Sequence, residues 1–218
     1  MTGTEALENR TLLLEGNLSV ESGGSLTLSS SSLTVYCEYS EEHELRVMPG
    51  GTLRVLNGSL VGSFGEWNTF GFWVEEGATV VLEDSIFATC GVRWRDIPWV
   101  GRVGGVVILT DDATIRNCTF TGNGYGALSD GSFEGCVFTT NTVGLGGGRL
   151  IRNCTFDRNS GGGIRGRGDG RRLRFRTLEA AGNLSASLNG TSLLDCLNST
   201  LDRTRLEFRD PASRVNIS

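Results

Sequence analysis

Three stretches of this chain align without a gap at one fixed spacing. Residues 115–128 read IRNCTFTGNGYGAL, 133–146 read FEGCVFTTNTVGLG and 151–164 read IRNCTFDRNSGGGI, each starting 18 residues after the last. A longer period runs before them. Val20, Val47 and Val74 open VESGGSLTLSSSSL, VMPGGTLRVLNGSL and VEEGATVVLEDSIF at intervals of 27, and Val107 opens VILTDDATIRNCTF 33 residues later. The two series share a six-residue unit: LSSSSL (28–33), VLNGSL (55–60), LEDSIF (82–87), IRNCTF (115–120), FEGCVF (133–138) and IRNCTF (151–156), with weaker copies at LRFRTL (173–178) and CLNSTL (196–201). A repeat this short cannot bury an apolar face alone. Its copies must stack on one another, and the residues between them must be turns.

The columns carry the physics. Position one (Leu28, Val55, Leu82, Ile115, Phe133, Ile151) and position six (Leu33, Leu60, Phe87, Phe120, Phe138, Phe156) are apolar, and position four (Ser31, Gly58, Ser85, Cys118, Cys136, Cys154) is small. Inward positions one, four and six break strict strand alternation. Position three (Ser30, Asn57, Asp84, Asn117, Gly135, Asn153) holds residues that tolerate a left-handed backbone, so a bend there resets the phase and turns all three inward. The 32 glycines among 218 residues, about twice the usual ~7%, fit many tight turns. With only 3 prolines, a disordered Pro/Gly linker is excluded. No window carries a helical apolar stripe. Propeller blades need about 40 residues, and coils of 18, 27 and 33 do not suit a regular left-handed triangle. The reading is an all-β solenoid of about eight coils stacked at ~4.8 Å.

Units of the form I-R-N-C-T-F-x-x-N-x-x-G resemble those of right-handed parallel β-helix proteins, the pectin-lyase-like superfold, which occurs widely in secreted and in archaeal or bacterial surface proteins. The resemblance covers residues 18–165. It implies one domain over 1–218, with 1–17 an N-terminal cap or linker, regular coils over 18–165 interrupted by insertions at 61–73 and 88–104, and irregular coils or a cap over 166–218. Enzymes on this fold are often polysaccharide lyases or hydrolases, with acidic residues that bind calcium or act as acid and base, and an arginine base in the lyases. That implication directs attention to Asp112 and Asp130, 18 residues apart and so stacked, with Asp111 beside them as oxygen ligands for Ca²⁺ and Arg165 or Arg167 nearby. Turn aspartates would look the same. No catalytic residue is assigned and no other cofactor is expected.

The insertions offer a second kind of site. All four tryptophans fall within WNTFGFW (67–73) and GVRWRDIPWVGR (91–102). Trp67, Trp94 and Trp99 with Arg93 and Arg95 would stack on sugar rings or anchor a partner, or else fold back over the stack as a local core. The six cysteines form no CxxC pair and His43 is the single histidine, which excludes a structural zinc site and a Ser-His or Cys-His pair. Stacked Cys118, Cys136 and Cys154 have parallel Cβ vectors about 4.8 Å apart, wider than the ~3.8 Å a disulfide prefers. They are expected to be buried free thiols. Asn123, Asn141 and Asn159 recur at 18 residues and are expected to form a ladder of amides at a turn.

Charge and sequons bear on function. All 20 basic residues are arginine. Residues 1–90 hold 13 acids and 3 arginines, a net of −10, while 91–218 hold 12 acids and 17 arginines, a net of +5, with 9 arginines inside 149–176. In a solenoid this becomes an axial gradient, and with open strand edges at the ends it favours head-to-tail self-association. Nine Asn-x-Ser/Thr sequons occur. Those at Asn57, Asn117, Asn153 and Asn198 are generated by the repeat itself, whereas Asn9, Asn17, Asn183, Asn189 and Asn216 lie outside its columns and are the expected glycan acceptors. No apolar run reaches the ~18 residues of a transmembrane span, and residues 1–10 lack a secretion signal, which an exported form would have lost. No nucleic-acid motif is present. The expected role is a non-catalytic extracellular or cell-envelope module, structural, adhesive or self-assembling. The alternative is a module that binds or cleaves an acidic polysaccharide.

Overall fold

In the computed structural model the left-handed bends fall where the columns require them. Ser30, Asn57, Asp84, Asn117 and Gly135 have φ of 49°, 57°, 51°, 51° and 66°. Each bend separates a strand of a first sheet from a strand of a second. The structure describes the chain except residues 41, 65–68, 92–94, 98–100, 104, 112, 130, 148–149, 153, 161–163, 166–172, 176–177, 182–184, 189–192, 197–199, 203–204, 209–213 and 218; for 95–97, 101–103, 150, 152, 165 and the strands beyond 172 it gives backbone and pairing alone.

Among the described residues there is no helix, and three parallel sheets of ten, nine and nine strands run side by side, each ordered coil by coil along the chain. Coil two shows the plan: Ser25–Ser29 in the first sheet, Ser32–Tyr36 in the second, Glu44–Val47 in the third. The strands make nine such coils and a tenth strand, Arg214–Ile217, in the first sheet. Residues 1–17 contribute strands to the stack. Thr4–Glu8 pairs with Ser25–Ser29 and Thr11–Glu15 with Ser32–Tyr36, and Asn9 at φ 52° supplies the bend between them. LENRTL (7–12) is thus a further copy of the unit, hidden by Arg10 in the small column.

Two columns need correction. In coil three Gly58 is an extra residue, so Ser59 and Val61 take positions four and six, and Val61 pairs with Leu33 and Phe87. In coil eight position one is Phe175, paired with Ile151, two residues later than LRFRTL implied. CLNSTL is in register, with Cys196 paired to Phe175.

The core fills the space between the sheets. The second sheet contributes Phe87, Phe120, Phe138 and Phe156, whose successive ring centroids lie 5.2, 5.0 and 4.9 Å apart with planes within 18°, 7° and 4°. Such pairs add about 0.5–1.5 kcal/mol each to the burial itself. Beside them run the small column Ser31, Ser59, Ser85, Cys118, Cys136 and Cys154, all buried, with none of the three thiols in a disulfide. A second left-handed column follows the phenylalanines at Thr89, Gly122, Thr140 and Arg158 (φ 52°, 65°, 57° and 49°). It delivers Cys90, Asn123, Asn141 and Asn159 to the interior. Their amides interlock: Asn123 N–H donates to Asn141 Oδ1 and Asn141 N–H to Asn159 Oδ1, both at 3.0 Å, while Nδ2 of Asn123, Asn141 and Asn159 donates to the carbonyls of Phe87, Phe120 and Phe138. Buried amides are costly unless paired in this way.

Candidate functional site

The turn from the second to the third sheet differs sharply between coils. In coils five and six it takes residues 122–124 and 140–142, but in coils two, three and four it takes 37–43, 64–70 and 89–104. Three successive coils therefore send their long connections out at the same corner. The insertions are shorter than expected, since 61–63, 71–73 and 88 are strand. The third contains an antiparallel hairpin, Arg95–Ile97 with Gly101–Val103, which sets Asp96 opposite Arg102. A parallel bridge between buried Phe70 and Cys90 joins the second connection to the third.

The corner is aromatic and acidic. Tyr39 and Phe64 are 63% and 62% exposed, the two most exposed large apolar side chains of the described residues, and the Tyr36 and Phe64 rings lie 6.1 Å apart at 50°. Glu42 folds the first connection by accepting the Glu38 N–H at 2.7 Å, with His43 Nε2 3.8 Å away on the same carboxylate oxygen. Asn17 Oδ1 accepts the Glu44 N–H at 2.9 Å. The connection 37–43 was not singled out from sequence. Its signal is EYSEEHE (38–44), an acid-rich run that interrupts strand alternation between Val35 and Leu45.

Beside this corner the outward row of the third sheet runs Arg46, Trp73, Val107, Leu128 and Gly146 in register. Its central members face away from the core yet are buried, Trp73 to 3%, Val107 to 0% and Leu128 to 6%, and form a second apolar cluster with Leu109 and Tyr125. A Cβ at Gly146 would meet Leu128 Cδ1 at 2.6 Å and Tyr125 Cδ1 at 3.1 Å, so those side chains would have to shift to admit one. Arg46 flanks this cluster, its Nη2 2.6 Å from Glu75 Oε1 and its Nη1 3.7 Å from Glu44 Oε1.

The sequence candidates separate into groups. Arg95 lies in the corner hairpin opposite Val103, and Arg165 lies three coils further along, paired with Gly146 in the third sheet. Trp67, Arg93, Trp94, Trp99 and Arg167 fall outside the described residues. Asp111 is exposed on a bend, while Asp112 and Asp130 are outside the described residues. The pairing of Thr114 with Ser132 keeps the 18-residue register next to them. Among the described residues no three His, Cys, Asp or Glu side chains are grouped to hold a metal ion, and no helix is long and apolar enough to cross a membrane.

Of the expected glycan acceptors, Asn17 is exposed and Asn216 pairs with Asp195 in the last strand, while Asn183 and Asn189 are outside the described residues. Asn9 is exposed, but it occupies the left-handed column rather than lying outside it.

A family model described as a right-handed beta helix region matches residues 46–179. No curated protein and no solved structure matches the chain.

Proposed function

The chain belongs to the right-handed β-helix family, and from that premise we propose that it is a non-catalytic module of the cell surface that adheres through the corner formed by residues 37–43, 64–70 and 89–104. The observation that carries this reading is the exposure of Tyr39 and Phe64 on neighbouring coils at that corner. Aromatic rings held on a rigid stack are suited to sugar faces or to apolar anchors of a partner. The third-sheet row beside the corner is filled by Trp73, Val107 and Leu128, which supports a scaffold more than an open cleft.

Self-association belongs to the same reading. Axial order follows sequence order in all three sheets, so the acidic residues 1–90 and the arginine-rich residues 149–176 lie at different heights. Residues 193–218 hold four acids and four arginines, so the positive surplus sits in coils seven and eight and not in the last. Attraction between copies would favour a staggered overlap over a flush end-to-end join.

The carbohydrate-active reading is favoured by Arg165 pairing with Gly146 in the sheet that carries Trp73, and would take Asp111, Asp112 and Asp130 as its calcium ligands. Incubating the purified chain with polyuronates and neutral glycans, with and without calcium, separates the two. Co-sedimentation with a glycan or with cell envelopes, without unsaturated or reducing-end product, is the expected result. Product formation would establish the second reading instead. Light scattering at 0.1 M and 1 M salt tests association, because the Debye length falls from ~10 Å to ~3 Å and the apparent mass should fall with it.

A further inference from the structure

The corner between the first and second sheets carries a pattern that the backbone does not require. Every described coil from one to six turns there through a left-handed residue: Asn9, Ser30, Asn57, Asp84, Asn117 and Gly135, with φ between 49° and 66°. Serine, aspartate and glycine make the turn in the even coils as well as asparagine does in the odd ones. Within coils one to six a glycan sequon nevertheless sits at this corner on each odd coil, as Asn9-Arg10-Thr11, Asn57-Gly58-Ser59 and Asn117-Cys118-Thr119, and at this corner on no even one, where the chain reads Ser30-Ser31-Ser32, Asp84-Ser85-Ile86 and Gly135-Cys136-Val137. The parity continues in the sequence at Asn153 and Asn198, which belong to coils seven and nine by strand order and lie outside the described residues.

We infer that Asn9, Asn57 and Asn117 are acceptors of N-linked oligosaccharide, so that this corner bears one glycan on every second coil. The inference rests on the surface-module reading, since such sequons are modified on exported chains. All three asparagines are exposed. The amide hydrogen bonds present are compatible with a sugar: Asn57 Nδ2 donates to Ser29 Oγ at 2.9 Å and Asn117 Nδ2 to Asp84 Oδ1 at 3.0 Å. In the transfer, Nδ2 forms a bond to the anomeric carbon of a lipid-linked oligosaccharide, the bond from that carbon to the phosphate oxygen breaks, the lipid phosphate leaves, and one Nδ2 proton is lost to base. The second N–H remains to donate as before.

Spacing gives the alternation a physical reason. Adjacent coils are ~4.8 Å apart, about the width of one sugar ring, so glycans on neighbouring coils would collide. Every second coil gives roughly 9.6 Å. Transfer must also precede folding of coil three, because the Ser59 hydroxyl that completes its sequon is buried, donating to the Leu56 carbonyl and accepting the Ser31 N–H.

The test is site mapping by mass spectrometry on the full chain purified from the cells that make it, with enzymatic deglycosylation in heavy-oxygen water to mark each occupied asparagine. Glycan at Asn9, Asn57 and Asn117 is the expected result. Glycan on Asn17 alone, or an exported chain carrying none, would overturn the inference, and either leaves the adhesive reading to its own binding assay. The variant S30N places a sequon on the coil between Asn9 and Asn57. Its occupancy should come with a loss of at least half at one flanking site. Full occupancy at position 30 and at both neighbours would overturn the spacing argument.

Discussion

Asn141 sits at the middle of a chain of buried amides, and each of its polar atoms is used. Its Oδ1 accepts the Asn123 N–H, and its Nδ2 donates to the Phe120 carbonyl and to Asn159 Oδ1. Replacing it with alanine strands the buried Asn123 N–H and takes one of two hydrogen bonds from the Phe120 carbonyl, which keeps its partner in the strand pair. At about 1–3 kcal/mol for an unmet buried group, Asn141→Ala should destabilise the protein by about 2 kcal/mol in denaturant titration. A loss below 1 kcal/mol would mean that water replaces the amide. The thiol column makes a prediction in pH. Burial pushes the Cys118 thiol up to about 12 from an ordinary value of 9.0, and pushes Cys90 up too. The Cys154 thiol, hydrogen-bonded to Cys136, holds the latter below the usual range against its burial. For Cys118 the folded state keeps its proton between pH 9 and 12 while the unfolded state loses it. Its contribution is therefore fully present below pH 9 and declines as pH rises, by up to about 1.4 kcal/mol per pH unit. Serine fits this column at Ser31, Ser59 and Ser85, so Cys118→Ser should fold and show a shallower loss of stability over that window. An unchanged slope would count against the argument.

A strand in this stack is held in register by its core face and by its outer one. On the outer face of the first sheet Glu83, Arg116 and Glu134 pair in succession, a row of alternating sign, with Arg116 Nε 3.6 Å from Glu134 Oε2. Opposite charges directly across a strand pair contribute about 0.2–1 kcal/mol and like charges oppose pairing by as much. Arg116→Glu sets three carboxylates in line and should lower stability by about 1 kcal/mol at low salt, with most of the loss recovered in 1 M salt. A loss that salt leaves unchanged would point to packing instead. The same elements explain what could be read beforehand. Phe120, Phe138 and Asn123, Asn141 recur at one spacing, and a fixed spacing in a solenoid is a contact. Asn and Gly at position three announced the first corner because their chemistry suits its backbone. The second corner was silent: Thr89, Thr140 and Arg158 are residues that avoid positive φ, and tertiary contacts hold them there. Coil one was missed because Arg10 broke the small column, and coil three was misread by one residue because Gly58 adds length without adding a pattern. The corner connection 37–43 has no repeat at all, so only the third dimension brings it beside 64–70 and 89–104.

For the whole molecule the decisive property is that chain order and axial order coincide. Each coil then touches little beyond its two neighbours, and stability is close to a sum of coil terms and interface terms. Hydrogen exchange should be faster in coil one, whose strand Thr4–Glu8 has a partner on one side only and is mostly exposed, and slowest through coils five to seven, where the phenylalanine and asparagine columns overlap. Equal protection in coil one and coil five would show that the stack unfolds as a single unit. The ordering has a mechanical side as well. The main-chain hydrogen bonds between coils point along the axis, and the two ends of the chain lie at opposite ends of the stack. A pull on the termini therefore loads one interface at a time, and a yielding coil pays out its whole contour before the next is strained. For periods of 18, 27 and 33 residues the released lengths are roughly 60, 90 and 110 Å, so a force–extension trace should be a sawtooth of unequal teeth in the order of the sequence. Tethered at both ends, such a rod is a tape that lengthens under tension by counted increments and keeps its remaining coils intact.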